Sequence, residues 1–370
     1  MEIEEAIRET NVRMCYSCGK CTLACPLTHD GHIYSPRRIV ERILAYGKER
    51  IDPHQMWECL TCNACSQFCP SDVRYPVFVR EIRRNLVNDG SHGECAHAGI
   101  LHSIMRLMAS GRLKQKRMEW LDDSLKTNAR SEVLLFVGCA PYYDSYFGDS
   151  GNHIEIARSA IKLLNHIGIK PRLLKNEVCC GHDMLWSGEI ETFEKLAELN
   201  TKMIDRSKVK QVVLTCPECY NTFKENYKDL REDIELHHLS DILNERLEDL
   251  QFRENGKKVT FQDSCRLGRF QGIYEPPREL LRSIPGLELV EMEDSKRKSI
   301  CCGTSCWMNC DQNSKRIQVD RLDEASNIAD MVVTACPKCL IHFRCAMDEQ
   351  TKLDVEVKDL FVALAESLGV

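Results

Sequence analysis

The sequence predicts an α+β multidomain chain: a helical N-terminal domain followed by two tandem, pseudo-symmetric α/β domains. Three observations predict it. The run Cys-x2-Cys-x2-Cys-x3-Cys-Pro occurs twice within the first 70 residues. A second pattern, centred on Cys-Cys-Gly, occurs twice in the remainder. Around that second pattern, short apolar runs alternate with stretches of helical periodicity, as in folds built on a parallel sheet.

The totals set the frame. A chain of 370 residues has room for two or three domains. A net charge of −6 and a pI near 6.1 give no strong attraction to nucleic acid or to an anionic membrane surface. No apolar run approaches the roughly 20 residues that span a bilayer. The opening MEIEEAIRET is acidic and amphipathic and lacks the pattern of a secretory leader. The expectation is a cytoplasmic protein without a transmembrane segment of its own and without a nucleic-acid partner. It has 22 cysteines. In a reducing compartment, cysteines that dense bind metal or carry redox chemistry rather than forming a disulfide scaffold.

The first run is Cys15, Cys18, Cys21 and Cys25 before Pro26; the second is Cys59, Cys62, Cys65 and Cys69 before Pro70. This is the spacing of two-cluster bacterial ferredoxins, in which three closely spaced thiolates hold one iron–sulfur cube and the fourth reaches to the other cube. The expected sets are therefore Cys15, Cys18, Cys21 and Cys69 for one cubane [4Fe-4S] cluster, and Cys59, Cys62, Cys65 and Cys25 for the other. Zinc, the competing tenant, needs two pairs of thiolates rather than a doubled run with proline after both fourth cysteines. Between the runs, Ser35 as N-cap, Pro36 in the first turn, a stripe of Ile39, Val40, Ile43 and Leu44, and Gly47 as stop predict a helix. A second helix follows, with Phe78, Ile82 and Leu86 on one face and Asp89-Gly90 at its end. Residues 1–90 form this domain. Residues 91–131 read as a connector helix with Ile100, Ile104, Leu107 and Met108 inside and a solvated basic face at Lys114, Lys116 and Arg117.

The remainder, 132–250 and 251–370, repeats itself. Cys139, Cys179-Cys180-Gly181 and Cys216-Pro217-Glu218-Cys219 recur as Cys265, Cys301-Cys302-Gly303 and Cys336-Pro337-Lys338-Cys339, at offsets of 126, 122 and 120 residues. The flanks match too: VVLTCPECYNTF beside VVTACPKCLIHF, and ELHHLSDIL beside EVKDLFVAL. Short strands at 133–138, 212–214, 258–262 and 332–333 end at or near a cysteine. This suits α/β folds, whose sites lie at the carboxyl ends of strands. The glycine after each pair lets backbone approach closely. Each copy supplies five cysteines where a four-iron cube needs four, so spacing hints at an unusual cluster. It leaves open an ordinary cubane or a zinc site with a spare cysteine.

The helices of the first domain resemble the helical ferredoxin domains of fumarate reductase-type iron–sulfur subunits. The whole layout resembles the D subunit of heterodisulfide reductase, or its C and B subunits fused in that order, over nearly the full chain. The resemblance implies that each Cys-Cys-Gly domain binds a noncubane [4Fe-4S] cluster, one through Cys139, Cys179, Cys180, Cys216 and Cys219, the other through Cys265, Cys301, Cys302, Cys336 and Cys339. It implies further that the mixed disulfide of coenzyme M and coenzyme B, or an analogue, is cleaved between the two clusters to give two thiols. Many relatives carry one degenerate copy; here both are complete.

Several residues fall outside this scheme. Cys95, Cys306, Cys310 and Cys345 belong to none of the four sets, with burial the default for Cys306 and Cys310. His182 follows the first Cys-Cys-Gly and is a candidate proton donor, since disulfide reduction consumes two protons. A structural role is the plainer alternative. Arg266, Arg269 and Lys338 adjoin cluster cysteines and are candidates to meet an anionic substrate, although solvated or ion-paired residues are the commoner case. The chain has no dinucleotide fingerprint. Electrons must then come from a partner: a flavoprotein, a hydrogenase or formate dehydrogenase module, or a membrane cytochrome b. Such a partner would also attach the chain peripherally to the cytoplasmic face of the membrane. A second reading keeps the clusters and removes the substrate, leaving an electron relay within a larger oxidoreductase.

Overall fold

The structure is a computed structural model and describes residues 3–28, 34–148, 153–349 and 353–370. The N-terminal region is helical, and its two cysteine runs are wound alike. In each run, residues between the cysteines take left-handed backbone: Ser17 and Gly19 in the first, Thr61 and Asn63 in the second. A one-turn helix follows each, at Lys20–Leu23 and Ala64–Gln67. Left-handed residues reverse the chain every second position, which turns three thiols to one side; for side chains other than glycine this conformation costs roughly 1–2 kcal/mol each. The helix between the runs is Pro36–Tyr46, with the Ser35 side chain accepting from the Arg38 amide at 3.3 Å and Gly47 ending it. Ile39, Val40 and Ile43 are buried, whereas Leu44 faces solvent. The next long helix, Tyr75–Asn88, buries Phe78, Val79 and Ile82 and also the charged Glu81 and Arg83.

The connector differs from its expectation. Its helix covers only Ile100–Ala109, and the buried face is Leu101, His102, Met105 and Met108. Ile100 and Leu107, predicted inside, are 37% and 57% exposed. The segment ILHSIMRLMA is apolar on more than one face, so periodicity alone could not choose. The face carrying His102 wins because both ring nitrogens find partners, Nδ1 with the Cys95 Sγ at 2.7 Å and Nε2 with the Cys306 carbonyl at 2.8 Å. The basic stretch is not wholly solvated either. Arg117 is buried, 2.6 Å from Glu177, and donates to the Gly138 carbonyl.

The two repeated regions each hold a small parallel sheet. The first has strands β1 (Val133–Phe136), β2 (Gln211–Leu214) and β3 (Glu235–His238) in the order β1-β2-β3. The second has β4 (Lys258–Gln262), β5 (Glu288–Leu289), β6 (Met331–Thr334) and β7 (Glu356–Asp359) in the order β5-β4-β6-β7. In register, Val133 faces Gln211 and Gln211 faces Glu235; Val259 faces Met331 and Met331 faces Glu356. β1, β2 and β3 thus correspond to β4, β6 and β7. Where the second copy has β5, the first has a single parallel bridge, Leu134 to Arg172. The central strands are almost wholly buried and apolar, as parallel strands covered on both faces must be.

The copies pack reciprocally. The Ile154–His166 helix of the first lies against the Leu360–Leu368 helix of the second, and the Glu275–Arg282 helix of the second lies against the Leu239–Glu245 helix of the first. The two contacts are related by the pseudo-two-fold, and one apolar core runs through both. No helix of the structure is long and apolar enough to cross a membrane among the described residues.

Candidate iron–sulfur sites

β1, β2, β4 and β6 end two or three residues before Cys139, Cys216, Cys265 and Cys336. The last two cysteines of each set open a helix: Pro217–Asn226 starts after Cys216 and carries Cys219, and Pro337–Glu349 starts after Cys336 and carries Cys339. Proline suits the first turn, and thiols three residues apart there share one side. The Cys-Cys pairs arrive on loops closed by glycine. Gly181 and Gly303 have φ near +82° and +84°. A Cβ on Gly181 would meet the Phe193 side chain at 2.8 Å, and one on Gly303 the Ser314 carbonyl oxygen at 2.6 Å. Conformation and close approach both demand glycine there.

The cysteines gather into four groups. Cys15, Cys18, Cys21 and Cys69 line one hollow with Pro36, Val40 and Cys65. Cys25, Cys59, Cys62 and Cys65 line the next with Tyr34 and Leu60. Each run thus sends its last cysteine to the hollow of the other, and Cys65 borders both. Cys139, Cys179, Cys180, Cys216 and Cys219 line a third hollow with Tyr143, His182, Asp183 and Glu218. Cys139 and Cys179 stand 3.1 Å apart, Sγ to Sγ, well beyond a disulfide bond. In the second copy, thiol hydrogen bonds link Cys265 to Cys301, Cys301 to Cys302, Cys302 to Cys339 and Cys339 to Cys336. The first copy repeats this chain of contacts, with Cys180 between Cys179 and Cys219 and Cys219 joined to Cys216. Cys301 also touches Cys62, so the second hollow abuts the second Cys-Cys-Gly site.

These donors fit iron–sulfur clusters. Thiols make weak hydrogen bonds, so five thiols facing each other, most of them buried, are poor packing and good soft-metal ligands. Hydrogen bonding to its neighbour, then burial, drives the Cys139 thiol well above its usual range. Burial does the same to Cys25 and Cys65. Cys180 and Cys302, midway in each chain, are lowered because both neighbours donate to them.

Polar groups fill the seam between the copies. Glu218 and Lys338 occupy the same position in the two Cys-Pro-x-Cys motifs, carry opposite charge, and pair at 2.6 Å. Lys338 also pairs with Asp183. His182 Nδ1 lies 3.0 Å from the Thr222 hydroxyl, and its Nε2 lies 3.3 Å from Arg266 Nε and 3.4 Å from Glu218. Burial first, then Arg266 and Lys338, push the His182 pKa well below its usual value, so the ring is neutral; burial lifts Glu218 to about 7. Sequence reading missed His342. It matches Thr222 in the repeat and bonds Thr304, which matches His182, so each site holds one histidine–threonine pair with the partners exchanged. Aligning the two copies beyond their cysteines would have found it.

The other singled-out residues are placed as follows. Arg266, Arg269 and Lys338 are all buried rather than solvated. Cys306 is fully buried, Cys310 is exposed, and Cys95 and Cys345 are half-buried.

Comparison with known proteins agrees with this arrangement. Residues 11–73 match the 4Fe-4S dicluster domain, and residues 133–224 and 259–344 each match the cysteine-rich domain. The D subunit of the dihydromethanophenazine:CoB–CoM heterodisulfide reductase of Methanosarcina barkeri is 24% identical, over 99% of this chain and 96% of its own length. The B subunit of the CoM/CoB fumarate reductase of Methanothermobacter marburgensis is 24% identical over 95% of this chain and 72% of its own. FadF of Bacillus subtilis, named "Probable iron-sulfur-binding oxidoreductase", is 28% identical over 88% of this chain, which spans 55% of FadF.

Proposed function

We propose, for an iron–sulfur oxidoreductase subunit related to the D subunit of heterodisulfide reductase, that this chain reduces a small-molecule disulfide to two thiols within a complex. In this reading residues 1–90 would hold two cubane clusters suited to electron relay, 91–131 would connect, and 132–250 and 251–370 would hold one noncubane cluster each. The observation that carries the reading is the completeness of both five-cysteine groups and their meeting across one seam, where Cys216 and Cys336 interact electrostatically and Pro337 lines the hollow of the first copy. Clusters of this type, when bound, store single electrons and offer iron to a sulfur ligand.

The protein's own residues do the rest. Cys65, bordering both ferredoxin hollows, and Cys62, touching Cys301, mark a through-contact path inward, reaching the second Cys-Cys-Gly site before the first. The overall step is R–S–S–R′ with two electrons and two protons giving RSH and R′SH, the electrons coming singly from a partner. Burial raises Glu218 to about 7, so it exchanges a proton near neutral pH despite its pairing with Lys338, and His182 Nε2, 3.4 Å away, lies within relay distance of it. His182 therefore acts as a relay rather than as a charged store. Replacing Cys180 or Cys302 by serine removes the middle ligand of one site. Each variant should lose disulfide turnover by at least about 10²-fold while the cubane signals persist. Undiminished turnover in either would overturn the mechanism and leave the electron relay without a substrate.

A further inference from the structure

We propose that Arg83, Arg266 and Arg269 form a cage of uncompensated positive charge round the Cys25, Cys59, Cys62 and Cys65 hollow. This cage sets the cluster there at a higher reduction potential than its neighbour at Cys15, Cys18, Cys21 and Cys69. The inference rests on the reading that both hollows hold cubane clusters.

The three arginines come from distant parts of the chain and converge on one loop. Arg83, in the Tyr75–Asn88 helix, donates from Nη2 to the Cys59 carbonyl at 2.7 Å, with further bonds to the carbonyls of Met56 and Trp186. Arg266 donates from Nη1 to the Thr61 carbonyl at 2.8 Å and from Nη2 to the Thr61 hydroxyl at 2.9 Å. Arg269 donates from Nε to the Cys62 carbonyl at 2.7 Å and from Nη1 to the Ser299 carbonyl. The loop from Cys59 to Cys62 thus meets three guanidinium groups.

All three are buried, and among the described residues none has a carboxylate within salt-bridge distance. Carbonyls and aromatic faces stabilise them instead. Arg266 lies 4.0 Å from the Trp186 ring centroid and 4.2 Å from that of Phe270, and Arg83 lies 5.2 Å from that of Trp57. Carbonyls and rings solvate a cation without cancelling its charge. Glu218 acts on Arg266 at longer range, but Glu218 already pairs with Lys338. Arg269 adds an independent sign. Its Nη2 is buried with no acceptor, a costly state for a charged donor, and its charge acts on Cys62, one of the thiols lining the hollow.

Among the described residues, the neighbouring hollow has no such cage. The arginine lining it, Arg37, is a third exposed and lies 3.8 Å from Glu41. Cys18 there is exposed. Reduction adds one negative charge to a cluster, and fixed positive charge in a dry site favours that form. Water at Cys18 works in the same direction, but three fixed unit charges in a low dielectric outweigh it. The consequence is a downhill step from the exposed cluster to the caged one. Arg269, which acts on Cys62, Cys265 and Cys301, then lies in the gap to the next site.

The test is an anaerobic, EPR-monitored redox titration of the full chain with its clusters. The wild type should show two separate cubane midpoints. Arg266→Gln and Arg269→Gln should each lower the upper midpoint by at least a tenfold change in the reduction equilibrium, about 59 mV for one electron, and leave the lower one in place. Arg269→Lys keeps the charge and should restore most of the shift. An unmoved upper midpoint in both glutamine variants, or equal shifts of both midpoints, overturns the inference. Should the glutamine variants not assemble, coincident midpoints in the wild type overturn it and separate midpoints that Arg269→Lys preserves support it. A wild type with full iron but no pair of cubane signals defeats the cluster reading itself.

Discussion

At the scale of single residues, the seam between the copies is decided by two side chains at one repeated position. Glu218 and Lys338 each sit between the proline and the last cysteine of their motif, and the pseudo-two-fold brings them together with Asp183 beneath. Lys338 is buried, so its ammonium exists there only because carboxylates surround it. Lys338→Met leaves Asp183 and Glu218 facing each other uncompensated. The variant should lose about 3–5 kcal/mol of stability in anaerobic denaturant unfolding, as removal of one partner from a buried pair does. A loss under about 1 kcal/mol would show that the seam is held by other contacts. The cysteine sets were legible in the sequence because their spacing is rigidly tied to a loop. The roles of Arg266, Arg269 and Lys338 were not. Each adjoins a cluster cysteine, so an anionic substrate looked the natural partner, whereas the fold turns two of them to backbone carbonyls and the third to carboxylates. Which acceptor a long cation finds depends on segments up to about two hundred residues away, and no local pattern encodes it.

Elements show the same division. The Pro36–Tyr46 helix was readable end to end, because its cap, proline and terminal glycine are local signals. The connector helix was placed but rotated, because its sequence is apolar on several faces and His102 decides between them through bonds to Cys95 and Cys306. The repeat also hides an asymmetry at two helix starts. His238 ends β3 and Asp359 ends β7 at corresponding positions, both buried, each leading into a helix. Burial lowers His238 to about 3 and raises Asp359 to about 7. The signs are opposite. The neutral histidine contributes stability above its unfolded value near 6.5, lost as pH falls toward 3. The aspartate binds its proton more tightly folded than unfolded, so stability is lost as pH rises from about 4 to about 7. Asp359→Asn keeps the cap, since asparagine caps as well as aspartate does. It should therefore raise the thermal midpoint at pH 8, worth about 1–4 kcal/mol, and by about a third as much at pH 5, where the penalty has only begun to develop. A gain at pH 5 equal to that at pH 8 would remove titration as the cause.

For the whole molecule, the central fact is that two incomplete halves complete each other. Among the described residues each Cys-Cys-Gly region has three or four short strands, and the helices flanking them are exchanged across the pseudo-two-fold into one continuous core. That exchange puts the two five-cysteine groups face to face, with Lys338 of one half entering the acidic groups of the other. The helical N-terminal region docks on this pair through Arg83, Arg266 and Arg269, and brings Cys62 against Cys301. The duplication was visible in the sequence as offsets of 126, 122 and 120 residues. The face on which the halves meet was not, because the contacts that define it join residues with no shared motif.

The claim that both groups hold active clusters is tested most directly by anaerobic iron quantification with EPR of the oxidised protein, before and after addition of small-molecule thiols. Four filled sites require about 16 iron atoms per chain if each holds a four-iron cluster. The account predicts that value together with a new paramagnetic signal induced by thiol. About 8 iron atoms in fully loaded protein would contradict it, reducing the chain to a two-cluster relay with its Cys-Cys-Gly domains empty of iron.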